Sequence, residues 1–197
     1  MAAQSTLKNM VLCLTLVCLI CSAILGVAYA VTAEPVAAAQ VAKTNNAIAK
    51  VLPEFSGDVT ESSMEMEGVE YKYYTTESGI AVISNVAGFG GTLSVMVGIC
   101  PDGTVCNTSV ISHSETPGLG AKCQTDEGFL AQFRGLDPTE KKLAVIKDGG
   151  DIDAITASTI TSRAYTLAVA NAVKVYETLS GIPQAVENEE GGENNEQ

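Results

Sequence analysis

The sequence predicts an α+β protein in which a single N-terminal transmembrane helix precedes a mostly antiparallel sheet with packed helices. Three observations carry this prediction. An uncharged stretch of 25 residues lies between Lys8 and Glu34. Several strand-like segments then follow one another, separated by glycine-containing turns. An amphipathic segment at 160–179 comes last, so strands and helices are grouped along the chain, as in α+β folds.

The stretch 9–33 is long enough to cross a bilayer, because a helix needs about 20 apolar residues to span a hydrocarbon core of about 30 Å. The alternative is a cleaved signal peptide, since residues 28–30 (AYA) resemble a small-residue cleavage site. The apolar region of a signal peptide usually covers only about 7–15 residues. The stretch here is longer, which favours a retained anchor. Lys8 on one side and Glu34 on the other predict a cytoplasmic N-terminus, 1–8, and an extracytoplasmic domain in a bacterial or archaeal cell membrane.

Beyond the membrane segment, alanine-rich residues 34–55 predict a helical stalk that ends near Pro53. The polar and acidic residues 56–68 are interpreted as a surface loop. Alternating apolar and β-branched residues predict five strands and a short helical piece. The strands are 69–75, 79–88, 92–100, 104–114 and 142–147, and the helical piece is 126–135.

The last predicted helix, 160–179, is followed by the stop signals Gly181 and Pro183. One apolar face is expected to pack on the sheet; it comprises Ile160, Ala164, Leu167, Ala168, Ala172, Val175 and Leu179. Residues 183–197 carry five glutamates and no basic residue, which predicts an acidic disordered tail.

Charge and composition exclude several functions. A net charge of −12, from 23 acidic and 11 basic residues, argues against a nucleic-acid partner, which requires a basic surface. The single histidine, His113, cannot build a histidine-rich zinc site, and the sequence has no nucleophile elbow, phosphate loop or dinucleotide fingerprint. We therefore expect no catalytic side chains and no metal, and a protein that either binds a partner or takes its reactivity from a cofactor.

Two of the six cysteines, Cys100 and Cys106, bracket a short predicted turn. A two-residue loop would place their thiols on opposite faces of the sheet, whereas a three-residue loop would set them side by side. The spacing leaves a disulfide open. Cys18 and Cys21 form a C-x-x-C pattern in the membrane segment, where they are interpreted as small apolar side chains.

Five hydroxyl side chains lie within 156–162, directly before the last helix. If Thr159 is the N-cap, its hydroxyl lies beside the free backbone N–H groups of residues 160–162, at the positive end of the helix dipole. A phosphate esterified to Thr159 would be well placed there. Simple helix capping is the alternative explanation of the same cluster.

Three segments, GFGGTLSVMVGICPDGTV (88–105), HSETPGLGAK (113–122) and DAITASTITS (153–162), together resemble the covalent FMN-binding family. Within it the chain is similar to the G subunits of Rnf-type ion-translocating ferredoxin:NAD oxidoreductases, with the C subunits of sodium-pumping quinone reductases as cousins. The resemblance covers roughly 10–180, which suits a single domain, and it implies a covalent FMN-binding domain at 56–182.

In that family FMN is esterified to the last hydroxyl of a D-x-x-[ST]-G-A-[ST] motif, so the resemblance implies attachment at Thr159. Residues 153–159 depart from the motif at Ala157 and Ser158, where the family usually has glycine and alanine. If residue 157 requires a positive φ, alanine costs about 1 kcal/mol or more there.

Further flavin contacts are expected in the same segments. Gly118 and Gly120 would let the backbone approach a flat ring, and Lys122 would offset flavin or phosphate charge, although an ordinary turn and an exposed lysine are the alternatives. The full expected set is Gly90, Gly91, Thr116, Gly118, Leu119, Gly120, Lys122, Thr156, Ser158, Thr161 and Ser162, with Asp153, His113 and Glu115 as motif residues.

The resemblance implies an electron-transfer protein that carries one covalent FMN within a larger complex. Its partners would be the other membrane and redox subunits of an Rnf-type complex, and a flavin transferase would mature it. A flavin-free, membrane-anchored binding or assembly protein is the alternative, in which the hydroxyl cluster only caps the helix. A signal-cleaved extracellular hydrolase is a third and weaker hypothesis.

Overall fold

The computed structural model describes residues 7–53 and 59–181. It divides into two compact units, Met1–Thr44 and Asn45–Gln197. The predicted acidic tail, 183–197, and most of the predicted cytoplasmic N-terminus lie outside the described residues.

The first unit contains most of helix α1 (Leu7–Val51), which has Pro35 inside it. Within the described residues, α1 supplies a single helix that is long and apolar enough to cross a membrane, and its apolar window is fully exposed. The hydroxyls of Thr15 and Thr32 donate hydrogen bonds to the carbonyls of Val11 and Ala28, one turn earlier. Both polar groups are therefore satisfied without water, as a hydrocarbon environment requires.

The second unit is built on a five-stranded antiparallel sheet with the order β1-β2-β3-β4-β5. The strands are β1 (Thr60–Met66), β2 (Val69–Thr76), β3 (Gly79–Ala87), β4 (Thr92–Ile99) and β5 (Val105–His113). Strands β2 to β5 confirm four of the predicted strands to within two residues at each end.

Strand β1 was predicted as a loop, and that prediction is wrong. Its sequence is mostly polar because β1 is an edge strand with one exposed face. The other face is half buried, and there Met64 and Met66 pack against the core. Two inward methionines in a seven-residue strand are a weak signal beside its serines and glutamates.

Segment 142–147 was predicted as a strand but does not join the sheet. Val145 makes an isolated bridge to Ile152, and a short 3₁₀ helix, Ile146–Asp148, follows directly. The apolar residues of this segment are thus used in a compact local loop. The predicted helical piece at 126–135 is confirmed as α2 (Glu127–Leu130) and a 3₁₀ turn, Ala131–Phe133.

Helices cover both faces of the sheet. The last helix, α3 (Thr159–Ser180), packs on the face that carries Val95 and Val97. On the opposite face, Ile48 and Val51 at the end of α1 pack against Met96. Strand β4 is therefore buried on both sides, which explains its continuous apolar sequence.

The end of α1 approaches the sheet closely at Gly98. A Cβ atom at this position would lie 2.1 Å from the Val51 carbonyl oxygen, so only glycine permits the contact. The Asn107 side-chain amide donates to the Lys50 carbonyl at 2.8 Å, which satisfies one of the carbonyls left free at the helix end.

The predicted apolar face of α3 is confirmed for Ala164, Ala168, Ala172 and Val175, which are buried, but is wrong for Ile160, which is exposed, and for two leucines. Leu167 and Leu179 are exposed, whereas Tyr165 and Val169 are fully buried. Tyr165 forms an aromatic cluster with Phe129 and Phe133, with ring centroids 5.1 to 5.2 Å apart. Its hydroxyl donates to Thr108 Oγ1 at 2.7 Å, and burial raises the pKa of this phenol.

Cys100 and Cys106 form a disulfide, with their Cα atoms 5.6 Å apart. The β4–β5 register is irregular at this point, because Ile99 pairs with Val105 whereas Gly98 pairs with Asn107. Cys106 is the extra residue of a bulge, and this turns its side chain to the same side as Cys100. The question that the spacing left open is thereby resolved in favour of a bond.

Candidate functional site

The segment that precedes α3 is fixed at its start by a side chain from another part of the chain. The Asp153 amide donates to Gln132 Oε1 at 2.7 Å, and Gln132 Nε2 donates to the Asp153 carbonyl at 3.2 Å. Two residues further on, the Ile155 side chain is buried in the core. The backbone directly before the hydroxyl cluster is therefore fixed by the Gln132 hydrogen bonds at Asp153 and by the burial of Ile155.

A tight turn then leads into the helix. The Ser158 amide donates to the Ile155 carbonyl at 3.0 Å, and Ala157 has φ = +62°. The condition anticipated from the sequence is therefore met: residue 157 is in the left-handed region, where a non-glycine residue is strained.

Ser158, rather than Thr159, is the N-cap residue of α3, so the predicted cap is wrong by one position. Because Ala157 is left-handed, the chain enters helical geometry directly after Ser158. The Ser158 carbonyl accepts from the Ser162 amide at 3.0 Å. The Ser162 N–H, which was expected to be free, is therefore paired. Thr159 becomes the first helical residue and lies in the first turn, whose amides have no partner within the helix.

The Ser162 hydroxyl stabilises this turn from inside. It is fully buried, donates to the Ser158 carbonyl at 3.0 Å and accepts from the Ile155 amide at 3.0 Å. Ser162 therefore positions the segment instead of facing a ligand.

Glu115 ties three distant segments together. Its side chain is 5% exposed, and its carboxylate accepts hydrogen bonds from the amides of Phe89, at 2.8 Å, and Gly90, at 3.3 Å. It also accepts from the Thr161 hydroxyl at 3.0 Å. Close packing leaves no room for side chains nearby, since a Cβ at Gly120 would lie 2.4 Å from Glu115 Oε2.

These segments surround a cavity of about 350 Å³. Seven of the residues expected from the sequence line it: Glu115, Thr116, Leu119, Gly120, Ser158, Thr159 and Thr161. Three more lining residues were not expected as contacts: Phe89, Ala157 and Ile160. Phe89 lies between Gly88 and the pair Gly90-Gly91, and a single aromatic residue among glycines is the one available signal.

The cavity combines apolar and polar parts. Phe89, Leu119 and Ile160 share this lining and are 67%, 45% and 51% exposed, so three large apolar side chains are accessible at one place. By contrast, Ser158 is 6% exposed, and its hydroxyl has no hydrogen-bond partner among the residues that the structure describes. An unpaired buried hydroxyl is costly, so one carried by a residue that lines a cavity indicates a ligand with a matching polar group.

The remaining expected residues do not line this cavity. Gly90, Gly91 and Gly118 shape the loops: Gly90 packs against the Ser114 carbonyl, and the other two have positive φ. His113 contacts Gln124 at 3.2 Å and accepts from the Glu115 amide at 3.3 Å, and so helps to orient Glu115.

Asp153 and Thr156 line a separate shallow pocket on the other side of the turn. Lys122 lies in the 3₁₀ helix Gly120–Gln124, where its carbonyl accepts from two following amides. A lysine from elsewhere, Lys147, contacts a lining residue instead, with its Nζ 3.5 Å from Thr159 Oγ1. Sequence reasoning missed Lys147, because it had assigned that residue to a strand.

Cys123 lies behind the cavity wall and is fully buried. Burial, together with the nearby charge of Glu115, raises the pKa of its thiol to about 11. The thiolate is the reactive form of cysteine, so Cys123 is inert at neutral pH and belongs to the core.

Comparison with known proteins identifies the class of domain. Residues 88–174 match the family described as "FMN-binding domain", and this range contains all ten residues of the cavity lining and the start of α3. Two solved structures are similar in fold. One is NqrC of Shewanella oneidensis, at 21% identity and a TM-score of 0.43 over 59% of this chain and 70% of that one. The other is the C subunit of the Na(+)-translocating NADH-quinone reductase of Parabacteroides distasonis, at 20% identity and a TM-score of 0.45 over 68% of this chain and 81% of that one.

Relatives along the whole chain are more specific. The G subunit of the proton-translocating ferredoxin:NAD(+) oxidoreductase complex of Clostridium ljungdahlii is 34% identical, over 85% of this chain and 90% of that protein. The G subunit of the ion-translocating oxidoreductase complex of Methanosarcina acetivorans is 29% identical, over 92% and 100%. The chain belongs to the family of G subunits of ion-translocating oxidoreductase complexes.

Replacing Glu115 by Gln tests the carboxylate that joins the three segments. Glutamine has one NH₂ group in place of a carboxylate oxygen, and this group cannot accept a hydrogen bond. At least one of the donors to Glu115, the amides of residues 89 and 90 or the Thr161 hydroxyl, therefore loses its acceptor. We expect Glu115→Gln to lower the free energy of unfolding by about 1–3 kcal/mol, measured by chemical denaturation of the detergent-solubilised chain. The exposed Glu70→Gln should stay within about 0.5 kcal/mol of wild type; equal effects of the two variants would refute the role of Glu115.

Replacing Ala157 by Gly tests the strained turn. Glycine removes a left-handed penalty of about 1–2 kcal/mol, offset by about 0.4–1 kcal/mol of added freedom in the unfolded chain. We expect Ala157→Gly to raise the unfolding free energy by about 0.5–1 kcal/mol in the same denaturation assay. Ala154→Gly, at a residue without positive φ, should lower it; a loss of stability in both variants would contradict the strain.

Proposed function

We propose that this chain is the G subunit of an ion-translocating oxidoreductase and that it transfers electrons within that complex. In this proposal it carries FMN covalently, through a phosphoester to Thr159. The position of Thr159 carries this proposal. Its side chain lies in the cavity wall, at the first residue of α3, inside the range that matches the FMN-binding domain.

The residues present fit both parts of FMN. A volume of about 350 Å³ lies within the range of about 300–1,000 Å³ usual for small-molecule sites. The exposed apolar side chains of Phe89, Leu119 and Ile160 suit a flat isoalloxazine ring. Thr159, Thr161 and the unpaired Ser158 hydroxyl lie at the other part of the lining, where a phosphate requires polar contacts.

The start of α3 supplies the electrostatic part of the site. The first amides of a helix have no partners within it, and they lie at the positive end of the helix dipole. A phosphodiester on Thr159 would keep one negative charge beside the amides of residues 160 and 161. Glu115 holds Thr161 on the adjacent wall and so fixes the loops around this charge.

Formation of the ester requires a donor and an enzyme. The Oγ–H bond of Thr159 is replaced by an Oγ–P bond, while the phosphoanhydride bond of a flavin dinucleotide donor breaks. The nucleotide leaves with the electron pair of that bond, and the hydroxyl proton passes to it or to solvent. A flavin transferase would be the partner for this maturation step.

Bound FMN supplies the redox chemistry by accepting and donating electrons. The side chains of this domain position the flavin and exclude water from part of it. The direct electron partners would be other membrane and redox subunits of the same Rnf-type complex. Residues 9–33 carry no charged side chain, so α1 offers no ion path and the other subunits would move the ion.

The domain is placed outside the cytoplasm in this proposal, with α1 as a single membrane anchor over 9–33 and a stalk over 34–55. The charges that flank the apolar stretch favour a cytoplasmic N-terminus. The Cys100–Cys106 disulfide gives independent support, because disulfides persist in oxidising compartments. A covalent tether is also advantageous where lost flavin could not be recovered.

Replacing Thr159 by Ala tests the attachment directly. Full-length protein from a host with a flavin transferase should gain the mass of one FMN ester and fluoresce in a denaturing gel. We expect Thr159→Ala to lose both signals completely and to keep an unfolding free energy within about 1 kcal/mol of wild type. Thr178→Ala, which removes a hydroxyl near the other end of α3 and outside the motif, should keep both.

Two results would contradict the proposal in different ways. Flavin retained on Thr159→Ala would place the linkage at another residue. Colourless wild-type protein from a transferase-competent host would favour the flavin-free binding or assembly protein.

A further inference from the structure

The geometry points to Lys147 as the residue that contacts the FMN phosphate at Thr159, both while the ester forms and in the finished phosphodiester. This inference rests on the proposed function. Lys147 lies outside the hydroxyl cluster, and its segment was predicted to be a strand of the sheet.

The Lys147 ammonium is already at the attachment atom. Its Nζ lies 3.5 Å from Thr159 Oγ1, which is the oxygen that would carry the phosphorus. A neutral hydroxyl is a weak partner for an ammonium group. A phosphodiester on the same oxygen would bring an anionic oxygen within reach, and hydrogen bonds between charged groups are roughly twice as strong as those between neutral ones.

The 3₁₀ helix that carries Lys147 is fastened to α3. Asp148 accepts two hydrogen bonds from Arg163, each at 2.6 Å, and Arg163 lies one helical turn beyond Thr159. On the other side, the Ile146 amide donates to the Ile152 carbonyl at 2.9 Å. The 3₁₀ helix with Lys147 is therefore bonded both to α3, which carries Thr159, and to the chain segment that leads into α3.

Asp148 is the anion beside Lys147, and both of its carboxylate oxygens already accept hydrogen bonds from Arg163. The Arg163 guanidinium holds the pKa of that carboxyl below its usual range. Asp148 therefore remains paired with Arg163, and the Lys147 charge faces the Thr159 oxygen.

A second observation marks the same place as a ligand site. Ser158 is more than nine-tenths buried and lines the cavity beside Thr159, and its hydroxyl has no partner among the described residues. One ammonium, one unpaired hydroxyl and the first amides of α3 together match the single charge and several acceptor oxygens of a phosphodiester.

The test compares Lys147→Ala, Lys147→Arg and Lys147→Glu with wild type in the full-length chain. Incorporation of FMN by purified flavin transferase is followed over time by intact mass. We expect Lys147→Ala to slow incorporation about three- to tenfold and Lys147→Glu to slow it more, because a charge contact near water changes an equilibrium or rate by about this factor. Lys147→Arg should restore most of the rate, and Lys142→Ala is the matched control on the same segment.

A second measurement separates contact with the phosphate from contact with the transferase. The ³¹P NMR signal of the loaded protein should shift in Lys147→Ala relative to wild type and stay in place in Lys142→Ala. An unchanged rate in Lys147→Ala, or a reduced rate with an unchanged ³¹P signal, would overturn the inference. In both cases wild-type protein would still carry FMN on Thr159, whereas failure of the proposed function would leave wild-type protein without flavin or with flavin on another residue.

Discussion

The buried carboxylate of Glu115 joins three segments that are far apart in sequence, and the arrangement of the cavity depends on it. It accepts hydrogen bonds from the amides of the loop at 89–90 and from the Thr161 hydroxyl near the start of α3. A buried charge is stable only when such partners surround it. The loops that carry the apolar side chains and the helix end that carries Thr159 are therefore held at fixed positions relative to one another, which is a condition for holding a rigid flavin.

The rest of the fold supports this junction. Strand β4 is buried on both faces, between α3 and the end of α1, and the glycine at 98 allows the close approach of that helix end. Tyr165 and Val169 of α3 are fully buried in the core. This packing fixes the position of the first turn of α3 relative to the sheet. The strain at Ala157 directs the chain into that first turn, and Ser162 ties the turn to the helix.

Much of this arrangement follows from sequence patterns. Apolar alternation gives four of the five strands, and the hydroxyl cluster before a long apolar segment gives the start of α3. The failures have physical causes. β1 is a polar edge strand, so its composition resembles that of a loop. The apolar residues of 142–147 resemble a strand, but they pack locally and do not join the sheet. The N-cap lies one residue early because of the backbone conformation at Ala157, and the contact of Lys147 with Thr159 depends on tertiary packing that no local pattern encodes.

The most direct measurement uses two basic residues that flank the cluster. Cleavage after Lys147 and Arg163 releases one peptide, 148–163, which contains all five hydroxyls of the cluster. Fragmentation of this peptide from natively produced protein should place the mass of one FMN phosphoester on Thr159 and on no other residue. The same peptide found unmodified throughout, in cells that flavinylate other proteins, would contradict the account.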